Sequence, residues 1–145
     1  MKKLILLLLI LTSCISNSQE IKEVKFSELD YTIPKDSTSM VISLKNKPLN
    51  GKYKLINDKF PTRFSLTEFI DGKGEGKSEY YSDGILIGTK ELKNGLPNGL
   101  SVVYDNTGET LMWKIQMVNG KNHGLAWFGD EGDKYYIMDK EATKK

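Results

Sequence analysis

Four six-residue windows constrain this chain more than any other feature of its sequence. They are "NKPLNG" (Asn46–Gly51), "DGKGEG" (Asp71–Gly76), "NGLPNG" (Asn94–Gly99) and "NGKNHG" (Asn119–Gly124). Each opens on Asn or Asp and closes on Gly, and an apolar residue (Leu44, Phe69, Leu92, Met117) stands two positions ahead of it. The closing glycines are 25, 23 and 25 residues apart, a period that marks an array of supersecondary units. A second break falls near the middle of each repeat: "NDKFP" (Asn57–Pro61), "SDG" (Ser82–Gly84), "DNTG" (Asp105–Gly108) and "GDEG" (Gly129–Gly132). Two breaks per period leave two short segments per repeat.

Those segments include "KSEYY", "ILIGTKEL", "LSVVY", "TLMWKIQMV" and "KYYIM". They are rich in β-branched and aromatic residues and have the length of strands rather than helices. No apolar pattern of period 3.6 runs through them. One repeat therefore reads as a β-hairpin handing on to the next hairpin. Asp83-Gly84 ahead of "ILIG" is the strongest hairpin signal, because Asp and Gly accept positive φ. The glycines at 51, 76, 84, 95, 99, 108, 120 and 124 (Gly51, Gly76, Gly84, Gly95, Gly99, Gly108, Gly120, Gly124) are assigned to turns, and Pro97 is placed in a turn because it lacks an amide hydrogen. Upstream, strands are expected near Val24–Leu29 and Met40–Lys45, with Pro34 ending whatever precedes it. The expected fold class is all-β: an elongated single-layer antiparallel sheet of successive hairpins. Residues 21–45 would supply N-terminal capping strands, 46–138 the repeats, and 139–145 a charged tail.

The first residues belong to a different category. Lys2 and Lys3 precede an apolar run, Leu4–Leu11, that is far shorter than the roughly 20 residues of a membrane-spanning helix. Residues 1–13 read as a secretory signal. "LTSC" (Leu11–Cys14) resembles a bacterial lipobox, which implies cleavage before Cys14 and acylation of its thiol and new amino terminus. Cys14 is the only cysteine, so no intrachain disulfide can form. Residues 14–20 would be the lipidated Cys and a tether. A multiply acylated Cys supplies the two signals that stable anchoring requires. The expected address is a bacterial cell envelope, and Ile15, standing where Asp would signal inner-membrane retention, favours the outer membrane by resemblance. Loss of Lys2 and Lys3 would bring 21 Lys and Arg down to 19, equal to the 19 Asp and Glu. A balanced chain lacks the concentrated basic face that nucleic acid requires, so no nucleic-acid partner is expected.

The stretch Gly76–Gly124, "GKSEYYSDGILIGTKELKNGLPNGLSVVYDNTGETLMWKIQMVNGKNHG", resembles the bacterial MORN-type repeat, and more closely the variant in YwqK-type antitoxins. Tyr81 and Tyr104 stand five residues after Gly76 and Gly99, as that pattern has them. The first repeat departs from it, with Ile56 at that place. The last is cut short after Gly124, with Trp127 and Phe128 as its aromatics. The resemblance covers about Asn46 to Tyr136. It implies a sheet of successive hairpins and a protein-binding role, with an unidentified protein partner that would be a toxin in the antitoxin case. Such repeats occur in proteins of many roles, so the fold carries little about activity.

Catalytic chemistry is thinly represented. His123, the sole histidine, reads as a turn residue, and no metal-ligand cluster accompanies it. "GKGEGK" (Gly72–Lys77) lacks the helix that a phosphate loop needs. "DNTGE" and "GDEGD" do not complete a calcium loop. No nucleophile elbow or Cys–His pair is present, so neither catalytic residues nor a cofactor are expected. The remaining candidates are aromatic: Tyr80, Tyr81, Tyr104, Trp113, Trp127 and Phe128, as a protein-binding surface or, alternatively, as the packing of the sheet itself. A second functional reading is a surface lipoprotein that stacks glycan on these rings or associates with membrane.

Overall fold

The structure, a computed structural model, describes residues 20–35, 38–137 and 139–142. The signal, Cys14 and most of the tether lie outside the described residues. Ten strands form one open sheet. After β1 (Lys22–Lys25) come β5 (Gly51–Ile56), β6 (Arg63–Ile70), β7 (Lys73–Ser82), β8 (Ile85–Lys93), β9 (Leu96–Tyr104), β10 (Leu111–Val118), β11 (Lys121–Phe128), β12 (Gly132–Ile137) and β13 (Lys140–Ala142), in that spatial order. From β5 onward every neighbour is the next strand in sequence and pairs antiparallel. β1 alone pairs parallel, with β5. The expected array of consecutive hairpins is the observed fold.

Four of the sharp reversals follow from their dipeptides. Asp71-Gly72, Asp83-Gly84, Asn94-Gly95 and Asn119-Gly120 each have positive φ at both residues, between 48° and 80°. That is the requirement of the two-residue hairpin whose twist matches its strands. The other mid-repeat breaks are longer connections, and Gly129–Glu131 forms a 3-10 turn.

The windows divide differently from the sequence expectation. In the second, third and fourth windows only the first two residues turn and the rest is already strand; in the first the reversal is Lys45-Asn46, and Gly51, expected in a turn, opens β5. Gly76, Gly99 and Gly124 lie inside β7, β9 and β11 at φ of 67°, 129° and 93°. Each sits where register slips against the preceding strand, between Leu66 and Glu68, Lys90 and Leu92, and Ile115 and Met117. These glycines make recurrent β-bulges rather than turns, which bend the strand and increase its twist. Pro97 is likewise in a strand, the central β9, one residue from its bulge. The ladder is locally interrupted there, so the missing N–H removes little. His123, expected in a turn, also lies in strand β11.

A hydrogen-bonded spine joins successive windows. The amides of Gly72, Gly95 and Gly120 donate to the carbonyls of Leu49, Gly74 and Pro97, at 2.8, 2.9 and 2.7 Å. Each acceptor is the fourth residue of the preceding window. The fifth residue caps the same turn with its side chain. The amides of Asp71, Asn94 and Asn119 donate to Asn50 Oδ1, Glu75 Oε1 and Asn98 Oδ1, at 2.9, 2.7 and 3.2 Å. The polar fifth position is therefore structural. Asn50→Ala or Asn98→Ala is expected to lower stability by up to about 1 kcal/mol each, since water can partly replace an exposed acceptor. Urea unfolding of the two variants checks this. The spine continues past the last window. The Asp139 amide donates to Asn122 O at 2.8 Å and its carboxylate accepts the Asn122 amide at 2.7 Å. The array thus makes a fifth hand-over into β13, and the expected charged tail contributes a strand.

The N-terminal segment does more than extend the sheet. The expected strand over Val24–Leu29 is split into β1, a 3-10 turn (Phe26–Glu28) and β2 (Leu29–Thr32). β2 pairs with β3 (Val41–Leu44), and β3 with β4 (Lys47–Pro48), as a separate three-stranded sheet. This sheet supplies Leu29, Ile42 and Leu44 to a core with Val24, Leu49, Tyr53, Leu55 and Phe69. It is stitched to the array by Ile42 N–H to Gly72 O and by Leu49 N–H to Ile42 O, at 2.8 and 3.0 Å.

Turn carboxylates set an acid limit on this fold. Asp105 accepts the Thr107 hydroxyl and the Thr107 and Thr110 amides. Led by the Thr107 hydroxyl, these bonds hold its pKa down from 3.8 to about 2. Ser27 lowers that of Asp58, Lys77 that of Glu79, and Lys134 that of Glu131. A group lowered on folding stabilises above its unfolded pKa, and that contribution is lost as pH falls through the folded value. The urea midpoint is expected to hold down to about pH 4 and then drop toward pH 2, with Asp105→Asn flattening part of the drop.

Candidate binding face

Side-chain alternation and register divide the large sheet into two faces. The inner face is the one the small sheet covers over β5–β7. Direct cross-strand pairing carries it onward. Ser78 opposes Lys90, Lys90 opposes Ser101, Ser101 opposes Ile115, Ile115 opposes Ala126, and Ala126 opposes Lys134. In this row Ser78, Ser101, Ile115 and Ala126 are buried. Larger side chains flank it: Tyr80, Val103, Trp113 and Phe128 toward the mid-repeat connections, Leu92 and Met117 toward the windows. A floor in which Ser78, Ser101 and Ala126 alternate with Lys90 and Ile115, set between walls of large side chains, makes a trough across the strands.

Two hollows mark this face. One, about 210 Å³, lies at the margin of the small sheet between Phe26, Met40, Ile42, Phe69, Tyr80 and Leu92. The hydroxyls of Thr67 and Ser78 on its floor satisfy each other at 2.6 Å. The second, about 280 Å³, is lined by Lys90, Trp113, Ile115, Met117, Asn122 and Phe128. The Lys90 ammonium lies 5.6 Å from the Tyr80 ring centroid. No inner-face position from β6 to β11 carries Asp or Glu. The carboxylates of these strands (Glu68, Glu75, Glu79, Glu91) occupy outer-face positions. The Ser101 hydroxyl is directed at the Met117 sulfur, 3.5 Å away.

The six aromatics are all half-buried, and they divide between the faces. Tyr80, Trp113 and Phe128 belong to the inner face, Tyr81, Tyr104 and Trp127 to the outer. They do not form one surface. Tyr80 and Tyr81 meet only at a 170 Å³ cavity with Phe26, Arg63, Phe64 and Ile87, where a bulge shifts the β7–β8 register. There Tyr81 stacks on Phe64, with centroids 4.9 Å apart, and its hydroxyl reaches Glu79 Oε2 at 3.2 Å. Burial first, and then that carboxylate, raise the Tyr81 pKa above its ordinary 10. Trp127 lines a separate cleft of about 570 Å³ at the ends of β10 and β11, with Leu111, Met112 and Phe128. Tyr104 lines none of these cavities and pairs with Leu111. Phe128 packs edge-on against Tyr136, centroids 6.3 Å apart.

Lys90 and Ile115 were not singled out from the sequence, and Met117 only as the apolar residue ahead of the fourth window. Strand alternation around Trp113 points to Ile115 and Met117, whereas nothing local marks Lys90. Among the described residues no group of three or more His, Cys, Asp or Glu is placed to hold a metal ion, and no helix is long and apolar enough to cross a membrane. His123 Nδ1 is buried without a hydrogen-bond partner among the described residues. Compared with protein-family models, with curated proteins and with solved structures, the chain matches none.

Proposed function

We propose that this chain is a lipid-anchored protein of a bacterial envelope, outer-membrane by preference, whose MORN-type hairpin array binds another protein in an antitoxin- or immunity-like role, without catalysis of its own. One observation carries the reading. The inner face, covered by the chain's own small sheet over β5–β7, continues from β8 with none of the described residues over it, as a largely apolar trough walled by Trp113 and Phe128. Aromatic walls around a floor of buried side chains are the usual anatomy of a protein-binding hot spot. Capture from envelope extracts tests it. A protein retained by the wild type and lost on Trp113→Ala supports the reading, and retention of the same proteins by both variants removes it. The anchor has its own test. Cys14→Ser is expected to abolish lipid labelling and to move the protein from the membrane to the soluble fraction, read by palmitate incorporation and fractionation.

The glycan reading is weaker on the inner face. Sugar sites pair an aromatic platform with several hydrogen-bonding groups, and here Lys90 and Asn122 are the only polar side chains lining the hollow.

A further inference from the structure

We propose that the open trough receives an extended acidic segment of a partner polypeptide, with a carboxylate seated on Lys90 and an apolar side chain lodged over Ile115, between the Trp113–Phe128 wall and Met117. This rests on the protein-binding reading above and names the face and the chemistry it selects. Lys90 stands mid-strand on a face whose other lining from β8 to β11 is apolar or uncharged. None of the ion pairs among the described residues involves it, and its ammonium lies over the Tyr80 ring. A half-buried ammonium held over an aromatic wall without a carboxylate is complementary to an anion brought from outside. The hollow beside it, about 280 Å³, is smaller than the roughly 300–1,000 Å³ of pockets that enclose drug-sized ligands. It suits a side chain better than a whole small molecule. The fold itself shows what this face packs against. Over β5–β7 it is covered by extended polypeptide, with Ile42 and Leu44 of β3 packed on the cluster that contains Leu55 and Phe69. An acidic segment would continue that covering layer onto β8–β11.

The two tryptophans lie on opposite faces and serve as separate reporters. The full-length protein in detergent is titrated with a synthetic decapeptide of alternating Glu and Leu, and with its Lys-Leu counterpart. In the Trp127→Phe variant, which keeps Trp113, the acidic peptide is expected to shift emission to the blue and to saturate. In Trp113→Phe, which keeps Trp127, it should change nothing, and the basic peptide should act on neither. Lys90→Met is expected to weaken binding by about tenfold or more at an unchanged thermal midpoint. Lys114→Met on the outer face should leave it as it was. An unresponsive Trp113, equal response to the basic peptide, or full affinity in Lys90→Met overturns the inference. A saturating Trp113 shift with polygalacturonate but not with the peptide overturns it in favour of an acidic polysaccharide. A protein captured from extracts whose binding survives Lys90→Met refutes this inference and leaves the protein-binding reading standing. Peptide binding with no protein captured supports the trough's preference for an acidic segment and counts against the antitoxin- or immunity-like role.

Discussion

Gly72→Ala is expected to destabilise the protein by about 2–4 kcal/mol, well beyond the effect of the same change at Gly84. Both residues occupy the left-handed region, at φ of 75° and 80°, so both alanines carry the same backbone strain of roughly 1 kcal/mol. Their surroundings differ. A Cβ at Gly84 meets nothing within 4 Å, whereas one at Gly72 lies 2.6 Å from Val41 Cγ1 and 2.7 Å from Ile42 O. Ile42 O is backbone and is itself bonded to the Leu49 amide, so it cannot swing aside. Relief requires β3 to lift from the array, which stretches the Ile42 N–H to Gly72 O bond. Urea unfolding of the two variants side by side measures the difference. Equal losses would mean that the small sheet is not seated on this turn.

Phe69→Ala tests the same junction from its apolar side. Phe69 is 3% exposed and packs edge-on to Tyr53, with centroids 5.9 Å apart. Its neighbours come from both sheets, so the cavity left behind cannot be closed by moving one strand. The expected loss is about 3 kcal/mol or more, on the order of 10 °C in thermal midpoint. Ile115→Ala, on the uncovered stretch of the inner face, should lose less: its surroundings are a single sheet and can settle around the smaller side chain. Comparable losses at the two sites would indicate that the trough is packed as firmly as the junction.

The hairpin order was legible because its signals are local. Asp71-Gly72, Asp83-Gly84, Asn94-Gly95 and Asn119-Gly120 each force a reversal through their own φ preferences, and the β-rich runs between them have no other partner at hand. Bulges were not legible as such. In sequence, the closing Gly of a window looks like turn chemistry, because turns and bulges both call for positive φ. Only the pairing partner distinguishes Gly99, opposite Glu91, from Gly95 in the reversal. Pro97 was misplaced for the same reason, since its tolerance depends on a register slip that the strand does not announce. The fifth hand-over at Asp139 carries no glycine and gave no local sign.

The candidate site shows the sharper limit. Six aromatics recur at repeat positions, yet they point to two faces, because bulges and alternation decide orientation and recurrence does not. What the sequence by itself determined was the repeat, the direction of each reversal and the all-β class, all of them set by residues within a few positions of one another. What only the tertiary structure decided was that the small sheet β2–β4 covers one face of the array over β5–β7, with none of the described residues over it from β8. The same structure set Lys90 in that opening with no carboxylate paired to it among the described residues. These depend on contacts between residues 20 to 50 positions apart, such as Ile42 with Gly72 and Leu55 with Val24, whose free energy comes from burial in three dimensions and leaves no periodic trace along the chain.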